Sequence, residues 1–159
     1  MGQPTRARIT SVEHFALRPR RIRFKGRGAS LGLTSAQTDL LIHKIEAGLS
    51  FKALESLSAN SGLSATLIAS VLGIPDRTLA RRKAAGRFAS DESERLLRVS
   101  NLFEKTVELF EGDVAGAVTW LTSPKRALGR QTPLAYSRTE LGAREVENLI
   151  GRLEHGVFS

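Results

Sequence analysis

The stretch IASVLGIPDRTLARR, residues 68 to 82, holds two helix signals with a stop between them. Leu67, Ile68, Val71 and Leu72 repeat at helical spacing, and Gly73 is placed to end that run in the left-handed conformation that only glycine adopts at no cost. Pro75 blocks continuation, and Asp76 can cap the second helix through its side-chain oxygen. Ala69 supplies a small residue where two helices cross, Gly73 the turn, and Leu79 an apolar residue that ties the second helix down. That is the grammar of a helix-turn-helix. With Leu79 inward, Arg77, Thr78, Arg81, Arg82 and Lys83 are expected on the outward side, a cationic fringe suited to a DNA major groove. Arg77, Thr78 and Arg81 lie toward the helix start, where they can reach base edges. Arg82, Lys83 and Arg87 come later and are assigned to phosphates. A short arginine-bearing helix can also be a plain solvated face. The turn grammar and the cations occurring together favour DNA.

The distribution of charge supports a localised contact. The chain has 159 residues and a net charge of +8. Residues 1 to 30 carry eight Lys/Arg against Glu13 alone, and residues 64 to 90 carry five against Asp76 alone, while the remainder is slightly acidic. Basic character thus belongs to the N-terminal segment and the helix-turn-helix, not to one continuous surface. Residues 1 to 33, with Pro4, Pro19, Gly26, Gly28 and the run RPRRIRFKGRG, read as a basic, flexible arm able to lie along phosphates or in a minor groove. Ile9, Val12, Phe15 and Leu17 could instead form a short docked element.

Outward from this centre the chain reads as all-α. Thr34 with Gln37 makes a capping-box start for a helix from about Ser35 to Ala47, with Leu40, Leu41, Ile45 and Leu49 as its apolar face and His43 at the surface or boundary. Ser50 caps a second helix in which Phe51, Leu54 and Leu57 align until Asn60 and Gly62 end it. These two form the apolar base of the helix-turn-helix. Ser90 is placed to cap a long helix with an acidic first turn, Asp91, Glu92 and Glu94. Its apolar positions, from Leu96 to Phe110, cover more than one face, as a connector serving two cores would. Domain limits fall at 1–33 for the arm, 34–111 for the helix-turn-helix with its connector, and 112–159 for the rest.

In that last unit Asp113 caps a short helix with Val114, Ala117, Val118 and Leu121 inward and Trp120, the lone tryptophan, in the core. Pro124 stops it, and Ser123 is placed to cap a further turn through Leu128. Thr132 and Pro133 form a cap and first-position pair. Thr139 starts the final helix, with Leu141, Val146, Leu149, Ile150 and Leu153 inward and Gly156 closing it. Val157 and Phe158 beyond it are either an apolar plug for a partner's cleft or a frayed end.

Catalysis has no foothold in this pattern. There is no cysteine, His14, His43 and His155 fall in separate elements, no phosphate-cradling glycine loop precedes a helix, and Glu145 and Glu147 point to different sides of theirs. No enzyme activity, cofactor or metal is expected. No run approaches the roughly 18 apolar residues of a membrane span and no signal-peptide pattern opens the chain, which points to the cytoplasm and to no membrane partner.

Five blocks then occur in order: RTLARRK (77–83), ESERLLR (92–98), AVTWLTSPKRALG (117–129), TPL (132–134) and TELGAREVENLIGRLEHGV (139–157). From about Leu49 to its end the chain resembles the Xre/MbcA/ParS-type antitoxins, whose toxin partners carry an RES domain. The resemblance implies an N-terminal helix-turn-helix that binds operator DNA and represses the operon, and a C-terminal domain that covers the cleft of an NAD+-consuming toxin. It also implies that Trp120, Leu121 and Pro124 belong to the C-terminal core, and that Arg144, Glu147, Arg152, His155, Val157 and Phe158 face the toxin. Arg130 stands where a second glycine is common in that family, and Tyr136 with Ser137 replaces a usually aliphatic pair. A homodimer or higher assembly is expected. The alternative is a free-standing helix-turn-helix repressor whose C-terminal half only dimerises.

Overall fold

The computed structural model describes residues 21–34 and 37–156. Its helices are α1 Thr38–Ala47, α2 Phe51–Ser61, α3 Ala65–Val71, α4 Asp76–Ala85, α5 Ser90–Leu109, α6 Val114–Leu121, α7 Pro133–Tyr136 and α8 Glu140–Glu154, with 3-10 turns at Ala29–Leu31 and Arg126–Leu128. Among the described residues, extended pairing is limited to two isolated bridges, Arg21 with Asp113 and Ser50 with Arg87. The fold is all-α, as the periodicity predicts.

The long helix α5 runs through the middle of the molecule and packs against α1, α2, α6 and α8. Its buried positions, Leu96, Val99, Leu102, Phe103, Thr106 and Val107, face neighbours on both sides. They join one apolar cluster that extends from Leu31, Leu54 and Ile68 to Leu121, Val146 and Ile150. The connector therefore does not serve two cores. It is the spine of a single one, and the limit between residues 111 and 112 divides the chain without dividing its interior.

Residues 21–33, assigned to the arm, are docked. Phe24 meets Phe103 with ring centroids 5.5 Å apart. Leu31 and Ser30 are buried. The Ser30 N–H and hydroxyl both donate to Glu104 Oε1, at 2.8 and 2.7 Å, and Asn60 Nδ2 donates to the Ser30 carbonyl at 2.9 Å. Burial holds the Glu104 carboxyl above its ordinary pKa, partly opposed by those bonds from Ser30. Pro4, Ile9, Val12, Phe15, Leu17 and Pro19 lie outside the described residues, as does Ser35.

Helix caps follow the sequence where a cap residue directly precedes the first helical residue. Ser50, Asp113, Thr132 and Thr139 accept from the N–H of Lys52, Gly116, Ala135 and Gly142. Elsewhere the register is shifted. Pro75, not Asp76, precedes α4, and Ala89, not Ser90, precedes α5. Gln37 directly precedes α1, which begins at Thr38 and not at Ser35. Ser123 donates back to the Thr119 carbonyl, closing α6 instead of starting the next turn, and Lys125 precedes the 3-10 turn.

Several apolar assignments also move. Leu41, Leu49 and, in part, Ile45 pack inward, but Leu40 is exposed. Leu141 on α8 is 74% exposed while Val146 and Ile150 are buried. Leu141 sits five residues before Val146, about 140° around the helix, and so lies off the face of Gly142, Ala143, Val146 and Ile150 that packs inward. Trp120 is only partly buried, with Lys125 Nζ 5.3 Å from its ring centroid, and Pro124 is exposed.

Candidate functional site

The turn between α3 and α4 has the geometry its residues dictate. Gly73 lies at φ +71, its N–H donates to Ser70, and the Ile74 N–H donates to Ala69 at 2.9 Å. This doubled closure satisfies the last carbonyls of α3 and redirects the chain. Pro75 is extended, at φ −62 and ψ 152, and its carbonyl accepts the first turn of α4 through the Leu79 N–H. Ile74 is buried and Leu79 packs partly against the core. No residue of α4 is fully buried. It is a helix held at a few points and otherwise open to solvent.

Arg77 and Arg81, four apart and so on one face, are both exposed, with Ala80 and Ala84 exposed beside them. Thr78 is half-buried and Lys83 is exposed. Arg82 departs from the outward set. One turn beyond Leu79, it turns back to Glu92 in α5, with Nε to Oε2 at 2.8 Å and Nη2 to Oε1 at 3.1 Å. The Glu92 side chain is only 7% exposed and that of Arg82 25%. The Glu92 hydrogen bond raises the guanidinium pKa still further above its ordinary value. Arg87, assigned to phosphates, is exposed but also bonds within the protein. Its Nη1 donates to the carbonyls of Ala47 at 2.9 Å and Gly48 at 3.2 Å, at the end of α1. Around it the segment after α4 is stitched to the α1–α2 turn, Phe51 N–H to Gly86 and Phe88 N–H to Leu49, both at 2.9 Å. A Cβ at Gly48 would collide with the Phe88 carbonyl, so this stitch needs glycine there.

The C-terminal unit presents α8, laid on α5 by Val146 and Ile150. Gly142 lets its first turn sit on the Tyr136 carbonyl, a place no Cβ could share. Arg144 pairs with Glu140 at 2.6 Å, and Glu147 reaches across to Lys105 of α5 at 3.1 Å. Both line a groove of about 1000 Å³ between α8, α5 and residues 21–27, together with Arg23, Phe24, Arg98 and Lys105. Arg152, half-buried, lies roughly 12 Å beyond Arg144 and roughly 7.5 Å beyond Glu147 along the helix, and His155, exposed, follows its end. The structure thus brings Arg144 and Glu147 together and leaves Arg152 and His155 apart from them. Val157 and Phe158 lie outside the described residues.

Ser30 and Glu104 are polar residues the sequence does not single out, and Glu92, legible as part of an acidic first turn, has a partner that is not legible. Arg82 and Glu92 are ten residues apart in different helices, and Ser30 and Glu104 are 74 apart. No local pattern marks such pairs. Among the described residues no group of three or more His, Asp or Glu side chains could hold a metal, and no helix is long and apolar enough to cross a membrane.

Residues 40–101 match the antitoxin Xre-like helix-turn-helix domain, and residues 105–156 match the antitoxin Xre/MbcA/ParS C-terminal toxin-binding domain. The two matches meet within α5, the shared spine. An Antitoxin Xre of Yersinia enterocolitica is 40% identical over 130 residues, covering 81% of this chain and 88% of that protein. An Antitoxin Xre of Photorhabdus laumondii is 43% identical over 90 residues, covering 56% of this chain and 61% of that one. A helix-turn-helix with an open cationic face and a toxin-binding unit packed on a common helix, matched along most of their length, place this chain in the Xre antitoxin family, whose members are binding proteins and not enzymes.

Proposed function

We propose that this protein is the antitoxin of a type II toxin-antitoxin pair. It neutralises an NAD+-consuming RES-domain toxin by covering the active-site cleft, and it represses its own operon by binding operator DNA in the cytoplasm. The observation that carries the reading is the union, on one helical body, of an exposed Arg77–Arg81 face and a unit matching the toxin-binding domain. Arg77, Thr78 and Arg81 are assigned to base edges and Lys83 to phosphate. Arg82 directs Nε and Nη2 to Glu92, and Arg87 directs Nη1 to the end of α1. Arg144, Glu147, Arg152, His155, Val157 and Phe158 form the toxin-facing set. Operator binding requires two copies of the chain, with half-sites one DNA turn, roughly 34 Å, apart.

Co-expression with the neighbouring open reading frame tests the pairing. The expected result is a complex that co-purifies and that suppresses NAD+ loss caused by the partner. Removal of residues 155–159 is expected to weaken neutralisation while sparing DNA binding. A chain that binds its upstream DNA but captures no adjacent product is a free-standing repressor. NAD+ turnover by this chain alone overturns the antitoxin reading altogether.

A further inference from the structure

Helix α4 carries the exposed arginines, yet none of its own residues is buried. Core packing at Leu79 alone does not fix its angle. Leu79 gives one point of attachment and the Gly86–Phe88 stitch another, at the far end. The third is the fork-to-fork pair of Arg82 with Glu92, two charge-assisted bonds in a plane. Glu92 Oε2 also accepts the Ala89 N–H at 2.8 Å, so the same carboxylate closes the start of α5. It is thereby locked to the helix that forms the spine of the molecule. A planar two-bond contact resists both rotation and tilt of α4 about its axis, which a single apolar contact at Leu79 cannot do.

We propose that Glu92 and Arg82 are positioning residues for DNA recognition: their pair sets the angle at which Arg77 and Arg81 meet the bases, and keeps Arg82 off the phosphate backbone. The proposal rests on α4 being the DNA-reading helix. It makes Glu92 a determinant of specificity although it touches no DNA. Removing the carboxylate charge has two consequences of opposite sign. The reading face loses its fixed angle and discrimination falls. Arg82, released, becomes an additional cation able to neutralise a phosphate, and non-specific binding grows more salt-dependent.

The test compares full-length wild type, Glu92→Gln and Arg82→Gln for binding to the upstream DNA of the operon and to a scrambled duplex over a series of salt concentrations, with folding followed by circular dichroism. Wild type is expected to prefer the operon DNA. Glu92→Gln is expected to lose about tenfold of that preference, the order of one base contact, and to steepen the log K against log salt slope by about 0.9. Arg82→Gln is expected to lose preference similarly with no steepening. Should Arg82→Gln instead weaken both duplexes equally and flatten the slope by about 0.9, Arg82 is an ordinary phosphate contact and the proposal is overturned. A folded Glu92→Gln that keeps the full preference also overturns it. If Glu92→Gln does not fold, the slope of Arg82→Gln decides alone. Absence of any preference in wild type removes the underlying DNA reading instead, a distinguishable failure.

Discussion

Arg130 lies in the left-handed region at φ +65, directly after Gly129 at φ +61. The two turn the chain back from the 3-10 turn, with the Arg130 N–H donating to Lys125 at 2.9 Å. That conformation costs a residue with a Cβ on the order of 1–2 kcal/mol, which favours glycine there. Glycine offsets about 0.5–1 kcal/mol of that gain through its greater freedom in the unfolded chain. Arg130→Gly is therefore expected to stabilise the protein by about 0.5–1 kcal/mol, read as a raised thermal midpoint. A lowered midpoint would show that the Arg130 side chain contributes more than its backbone costs. Glu104 makes a prediction of a different kind. Its raised pKa means that the folded protein holds the proton more tightly than the unfolded one. The associated stability is complete below the unfolded carboxylate range and is lost as pH rises through the folded value. Glu104→Gln keeps an oxygen to accept both Ser30 bonds and removes the charge. Relative to wild type, the variant should gain stability in urea titrations as pH rises above the unfolded carboxylate value of about 4. A wild type that gains on the variant over that rise would mean that the Ser30 bonds, not burial, dominate.

At the scale of the element, α4 and the segment that follows it put arginines to two uses. Arg81 is exposed on the outer face, and its loss to alanine is expected to lower operator affinity by about 1–3 kcal/mol without moving the melting temperature. Arg87 donates to the carbonyls that end α1. Arg87→Ala should cost about 1 kcal/mol of stability and leave the salt slope of DNA binding unchanged; an altered slope with unchanged stability would return Arg87 to the phosphates. The caps show how far an element is legible. Ser50, Asp113, Thr132 and Thr139 are read correctly because a cap acts within three residues of itself. Asp76 and Ser90 fail by a single position. Either residue could precede the helix or open it, and only the packing of α4 and α5 decides which. Leu141 fails because its five-residue spacing from Val146 does not share a helix face, so it is apolar without belonging to the inward stripe.

At the scale of the whole molecule, the continuity of the core across α5 governs what can be cut away. A chain ending at residue 111 would strip Ala117, Leu121, Val146 and Ile150 from a cluster that also contains Leu96, Leu102 and Phe103. Such a fragment is expected to lack a cooperative unfolding transition, whereas the full chain should show one; two transitions in the full chain would mean separable halves. The N-terminal segment divides in the same way. Deleting residues 1–20 removes Arg6, Arg8, Arg18 and Arg20 and is expected to flatten the salt dependence of DNA binding by about 0.9 per lost phosphate contact, with sequence preference unchanged. Deleting residues 1–33 also removes Phe24, Ser30 and Leu31, and burial of a single leucine is worth about 2–5 kcal/mol; loss of folding is the expected outcome by circular dichroism. An equally stable product would show that the docked segment is dispensable. The sequence by itself determined that the chain is helical, where α2, α3, α4 and α6 run, and that Gly73 and Pro75 turn α3 into α4, because each rests on interactions within a turn or two of the backbone. Only the tertiary structure decided that residues 21–33 belong to the body, that one core replaces two, and which arginines remain exposed. Those outcomes depend on pairs such as Arg82 with Glu92 and Ser30 with Glu104, brought together by the packing of distant helices and leaving no trace in local spacing.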